Sequence, residues 1–140
     1  MDSPITGKLE VTEQGWLHIR LDTLLPHCRF GSVSRISDAI HTLRKGYKGN
    51  LPYFEEAVLV IDEHCEHDIR RVYDQDNKAW KAIPNALKGR IFEDDDQFTL
   101  AICLLAKRSK DTGCHIYVMP SEDAFSFFGG RFGHDLHWAQ

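Results

Sequence analysis

Two acidic stretches stand on either side of a short segment of the chain: DQDNKAW, residues 74–80, and EDDDQ, residues 93–97. Asp74 and Asp76 precede a predicted helix, and Glu93, Asp94, Asp95 and Asp96 follow it. Carboxylates gathered this closely repel unless they stay well solvated or share a cation. Hard oxygen donors favour Mg2+ or Mn2+ over zinc. Such an ion polarises a phosphoryl oxygen, stabilises a leaving alkoxide and activates a bound water, while a nearby lysine neutralises developing charge. The reaction class this points to is phosphodiester hydrolysis. A plainer reading stands beside it: DxDN also caps helices, and EDDD suits a solvated turn.

Spacing sets a condition on the chemical reading. At ~1.5 Å per residue, the two ends of the intervening helix are roughly 15 Å apart. The carboxylates meet only if both flanking segments fold back or if the site is shared between chains.

Charge is more informative by position than by sum. The 140-residue chain carries a net −4, which at first speaks against a polyanionic partner. Setting aside the six acidic residues of the two stretches leaves the remainder at +2. Arg70 and Arg71 precede the cluster, Lys78, Lys81, Lys88 and Arg90 lie within it, and Lys107, Arg108 and Lys110 follow. An acidic centre with a basic surround suits metal-dependent phosphate chemistry, and it is also what a solvated mixed-charge surface looks like.

The elements that must position these residues follow from periodicity. WLHIRL, residues 16–21, alternates as a strand with one buried face. Val33, Ile36, Ile40, Leu43 and Tyr47 recur at helical spacing, with Ser32 or Ser34 to cap the start and Gly46 and Gly49 to end it. AVLVI, residues 57–61, reads as a central strand. Asn77 would cap a helix whose stripe is Trp80, Ile83 and Leu87 and which Gly89 closes; Pro84 inside it predicts a kink or bulge near Lys81 to Pro84. Residues 97–106 and 114–119 read as two strands joined as a hairpin by KRSKDTG. The first dozen residues read as a loose start. The fold class is α+β: a mixed four-stranded sheet with two helices in the order β-α-β-α-β-β over residues 1–119. An aromatic tail, residues 120–140, shows neither strand nor helix period; such a tail either docks its rings or stays disordered, and docking on the same protein or a dimer mate is expected.

With 42% hydrophobic residues the chain can build one core without staples. It has no apolar run of the roughly 20 residues that cross a bilayer, and MDSPITGKLEV lacks signal-peptide character, so a cytoplasmic protein with no membrane partner is expected. Cys28, Cys65, Cys103 and Cys114 form no CxxC pair and are read as reduced packing residues.

At D74-x-D76-N77, the lysine-bearing helix ending A86-L87-x-G89, and E93-D94-D95-x-Q97, the chain resembles the RusA-type Holliday junction resolvases, endodeoxyribonucleases common in prophages. The strand and helix order is similar to theirs over roughly Trp16 to Met119. The resemblance implies an intertwined homodimer that binds branched DNA, specifically four-way junctions, and nicks two strands with Mg2+ or Mn2+. It implies catalytic roles for Asp74, Asp76 and Asp95, metal binding by these three with Asp94 beside them, and a catalytic lysine, Lys81, with Lys78 as the competing correspondence. Arg70, Arg71, Lys78, Lys88, Arg90, Lys107 and Arg108 would then hold phosphates.

Other groupings carry less. His64, Cys65 and His67 in EHCEH lack a fourth ligand at zinc spacing, which favours a polar strand end. His134 and His137 resemble half of a metal site. The rival functional class is a non-catalytic DNA- or protein-binding module in which the acidic residues serve as turns and caps. A small metal-dependent phosphodiesterase acting on something other than junctions is the third reading.

Overall fold

The computed structural model describes residues 4–26, 33–66 and 78–133. Its elements run β1 (Gly7–Val11), β2 (Leu17–Leu21), α1 (Val33–Gly46), β3 (Ala57–Cys65), α2 (Ala82–Leu87), β4 (Leu100–Arg108), β5 (Gly113–Pro120) and α3 (Ala124–Phe132). The strands form one mixed sheet in the order β1-β2-β5-β3-β4. The α+β class therefore holds. The expected count of four strands and two helices is corrected, among the described residues, to five and three: the β-α-β-α-β-β order recurs as β2 to β5, with β1 added before it and α3 after.

Alternation decides which way each strand faces. In β2, Leu17, Ile19 and Leu21 are fully buried, while His18 and Arg20 point to the opposite face. Leu59 and Ile61 of β3 and Ile116 and Val118 of β5 join the first set, and α1 and α2 cover it with Ile36, Ile40, Ile83 and Leu87. Each fully buried aliphatic side chain of this kind stabilises the fold by about 1.5–3 kcal/mol. The core thus lies between the sheet and its helical layer.

Three local readings change. Residues 7–11 are not part of a loose start: as β1 they pair antiparallel with β2 from Gly7↔Leu21 to Val11↔Leu17. Nor do β4 and β5 form a paired hairpin. β3 lies between them, parallel to β4 and antiparallel to β5. The connection crosses the end of β3, where Ser109 N–H donates to the Cys65 carbonyl at 2.8 Å. Finally, residues 124–132, expected to lack a period, form α3, whose buried Phe127 packs with Trp16, Val58, Val60 and Met119 on the outer sheet face. A hydrogen bond from Trp16 Nε1 to Asp123 Oδ2, 2.8 Å, ties the start of α3 to the β1–β2 turn. The chain from residue 120 to residue 132 therefore packs on the sheet.

The predicted irregularity at Pro84 takes a specific form. A 3-10 turn, Ala79–Lys81, passes into α-helix at Ala82. Pro84 falls in the first turn of the α-helical part, where a missing N–H leaves no intrahelical bond unmade. Gly89 closes the helix with φ of 78°, a left-handed conformation that L side chains resist.

Candidate functional site

Of the residues singled out by sequence, Arg70, Arg71, Asp74, Asp76 and Asn77, together with Cys28, His67, His134 and His137, lie outside the described residues. The second acidic stretch is described. Ile91 and Phe92, both fully buried, anchor the chain before it, and buried Leu100 anchors it after. Gly89 N–H donates to the Phe92 carbonyl, closing a tight loop that presents Glu93 to Asp96 at the surface between α2 and β4.

The four carboxylates of this turn are not equivalent. Asp96 Oδ1 accepts from the Phe98 and Thr99 N–H groups at 2.8 and 3.0 Å, and its Oδ2 accepts from the Thr99 hydroxyl. These bonds, the Phe98 N–H foremost, hold the Asp96 carboxyl below the usual carboxylate range. Asp96 is the capping device of the turn. Asp94 Oδ1 accepts from Asp95 N–H at 2.8 Å. Among the described residues Asp95 has only a loose contact with Lys88, 3.9 Å, which leaves its lone pairs open there to another ligand. Glu93 also lines a cleft of about 830 Å³ shared with Glu55, Glu56 and Glu122.

The two lysines competing for one role are separated by burial. Lys78 turns inward, its ammonium 2.5 Å from Glu63 Oε1. Lys81 is exposed, with its ammonium 6.0 Å from the Trp80 ring centroid. Lys88, Arg90, Lys107 and Arg108 are exposed, which suits phosphate contact better than the inward position of Lys78.

Sequence reasoning missed a second grouping, on the sheet face opposite the main core. The register sets His18 beside Tyr117, Arg20 beside His115, and Asp62 beside His115. His18 Nδ1 lies 2.9 Å from Glu10 Oε1, and His18 Nε2 lies 2.9 Å from His115 Nδ1. His115 Nε2 lies 3.2 Å from Asp111 Oδ2. Arg20 donates to Asp111 and also to Asp22. Gly113 makes room for this, since a Cβ there would sit 3.2 Å from the Arg20 guanidinium and 2.9 Å from the Leu21 carbonyl. The Arg20 hydrogen bond, helped by His115, holds the Asp111 carboxyl below the usual range. Burial lowers His115 against the pull of Asp111, and burial raises the Tyr117 phenol.

His64 completes this group. Its ring centroid is 4.3 Å from that of His115, and ligand atoms of His64, Asp111 and His115 all lie within 4.8 Å of one another. Asp62 Oδ2 is 3.2 Å from His64 Nε2 but out of line for a hydrogen bond, and the Asp62 carboxylate is held by Arg131 at 2.6 and 3.3 Å. The available signal was polar residues at period two in three otherwise apolar strands: His18 and Arg20, Asp62 and His64, His115 and Tyr117.

Fold and sites together define an α+β domain with an acidic turn beside α2 and a histidine-rich outer sheet face. The chain belongs to the family of unknown function DUF6100, whose model matches residues 3–128. No curated protein and no solved structure matches the chain. No helix among the described residues is long and apolar enough to cross a membrane.

Proposed function

We propose that the protein is a Mg2+-dependent endodeoxyribonuclease that resolves four-way DNA junctions as a homodimer. The observation that carries this reading is the division of labour in the turn after α2. Asp96 is committed to the backbone, whereas Asp95, with Asp94 beside it, keeps carboxylate oxygens open directly after the helix that D74-x-D76-N77 precedes.

These are hard oxygen donors, the set a magnesium or manganese ion takes. Bound by Asp74, Asp76 and Asp95 with Asp94 adjoining, such an ion would supply Lewis-acid polarisation of a phosphoryl oxygen and a more acidic water. Lys81, exposed at the start of α2, neutralises charge developing on the phosphate. Lys88, Arg90, Lys107 and Arg108 hold flanking phosphates, as do Arg70 and Arg71. In hydrolysis a water oxygen bonds to phosphorus, one P–O ester bond breaks, and the leaving oxygen takes up a proton.

Incubation of the purified protein with a synthetic four-way junction and Mg2+ tests this. Paired nicks are expected, with loss of cleavage in Asp76→Asn and Asp95→Asn at unchanged circular dichroism. Undiminished cleavage in both variants refutes the assignment. Junction binding without cutting by the wild type would favour the non-catalytic module, and cleavage of plain duplex or single strands would favour a broader phosphodiesterase.

A further inference from the structure

We infer that the outer face of the sheet holds a divalent transition-metal ion of the zinc class, with His64, Asp111 and His115 as its protein ligands. This site is separate from the acidic turn and does not depend on the nuclease reading.

Hydrogen-bond parity is the first argument. A carboxylate only accepts, so Glu10 fixes the proton of His18 on Nδ1, 2.9 Å away. With both imidazoles neutral, His18 offers a lone pair at Nε2 and His115 places its proton on Nδ1 to donate across 2.9 Å. That leaves His115 Nε2 bare and facing Asp111 Oδ2 at 3.2 Å, acceptor against acceptor. A cation between the two removes the conflict.

Geometry is the second. A tetrahedral ion with ligands at ~2.0–2.1 Å has ligand–ligand edges of about 3.3 Å. The His115–Asp111 separation of 3.2 Å already has that length, and the third ligand lies within 4.8 Å. His64 Nε2 is buried with no hydrogen-bond partner among the described residues, Asp62 Oδ2 lying 3.2 Å away as an ion-pair contact only. Two imidazoles and one carboxylate suit a borderline first-row cation better than Mg2+.

Outer partners are in place as well. Ligating histidines typically donate their other N–H to a second group that fixes the tautomer, and ligating carboxylates are themselves hydrogen-bonded. His18, backed by Glu10, does the first for His115, and Arg20 does the second for Asp111. With three protein ligands a fourth position stays open. His64 also borders a cleft of about 370 Å³ lined by Lys107, Asp62 and Arg131, the last two paired with each other.

The test uses the full chain stripped with a chelator and titrated with Co2+, then Zn2+. One equivalent of Co2+ per chain should bind with the strong visible absorption of tetrahedral coordination, and Zn2+ should displace it. Asp111→Asn, at an exposed loop position, and His64→Ala should abolish stoichiometric binding. His18→Gln should weaken it about 10–100-fold, as expected of an outer partner. Asp95→Asn should bind as the wild type does, which separates this site from the nuclease reading. Absence of Co2+ and Zn2+ uptake, or uptake unchanged in Asp111→Asn and His64→Ala, overturns the proposal and leaves an added proton as what separates the facing acceptors.

Discussion

Lys78, at the entrance to α2, places its ammonium 2.5 Å from the carboxylate of Glu63 on β3, and both side chains are nearly excluded from water. The other oxygen of Glu63 accepts the Leu25 N–H at 2.8 Å, so the pair ties α2 and the segment after β2 to the central strand. Removing one partner strands a buried charge, which costs about 3–5 kcal/mol. Lys78→Met should lower the unfolding free energy in urea by that order. Glu63→Gln with Lys78→Met should recover much of the loss. A single variant no less stable than the double would contradict this account of the pair.

Lys81 should behave in the opposite way. Its side chain is exposed, so Lys81→Ala should leave the urea midpoint within experimental error while sharply reducing junction cleavage. Cleavage retained in Lys81→Ala would remove it from the catalytic role.

One ring of α3 is buried in its docking. Phe127 is buried against Trp16, Val60 and Met119, whereas Phe125, two residues earlier, is 93% exposed. Phe127→Ala should destabilise the protein by about 3–5 kcal/mol, the usual cost of removing a buried Phe. Phe125→Ala should cost nothing measurable. Equal effects in urea unfolding would mean that α3 is not packed as described.

Acid should destabilise the metal-stripped protein before carboxylates titrate. Burial lowers the His115 pKa, so below the unfolded imidazole value of ~6.5 the unfolded chain binds a proton that the native state refuses. This contribution is complete above that value and is lost as pH falls towards the lowered native one. Asp111, also lowered, adds a loss at more acidic pH, through the carboxylate range. Urea midpoints should fall on going from neutral pH to about 5.5, and the fall should shrink in His115→Gln. A midpoint that rises over this interval would reverse the sign of the argument.

Local periodicity made the helical layer legible. Ile36 and Ile40 of α1, Ile83 and Leu87 of α2, and the alternation of Leu17, Ile19 and Leu21 all bury as their spacing predicts. What escaped was set by distant partners. GKLEV becomes a strand through its pairing with β2. KRSKDTG has the composition of a hairpin turn, yet β3 enters between its two arms, a choice made by long-range pairing that no local pattern encodes. FSFFGGRF carries two glycines that weaken helix propensity, and the burial of Phe127 overrides them. The same holds for the sites. Sequence spacing sets His64 beside Cys65 and His67, while the side chains it meets, Asp111 and His115, arrive from the β4–β5 connection and β5. In the acidic turn, the capping role of Asp96 was legible as a class of behaviour but not as the property of one aspartate among four.

The nuclease reading requires the carboxylates before and after α2 to share one ion. The most direct measurement is Mn2+-induced paramagnetic broadening of backbone amide resonances in isotopically labelled protein carrying His115→Gln, which removes the sheet-face ligand set. Substoichiometric Mn2+ should broaden the amides of Asp74 and Asp76 together with those of Asp94 and Asp95, and Asp95→Asn should restore all four. Sharp resonances at either stretch, while the other broadens or both stay unaffected, would contradict a shared ion and with it the proposed chemistry.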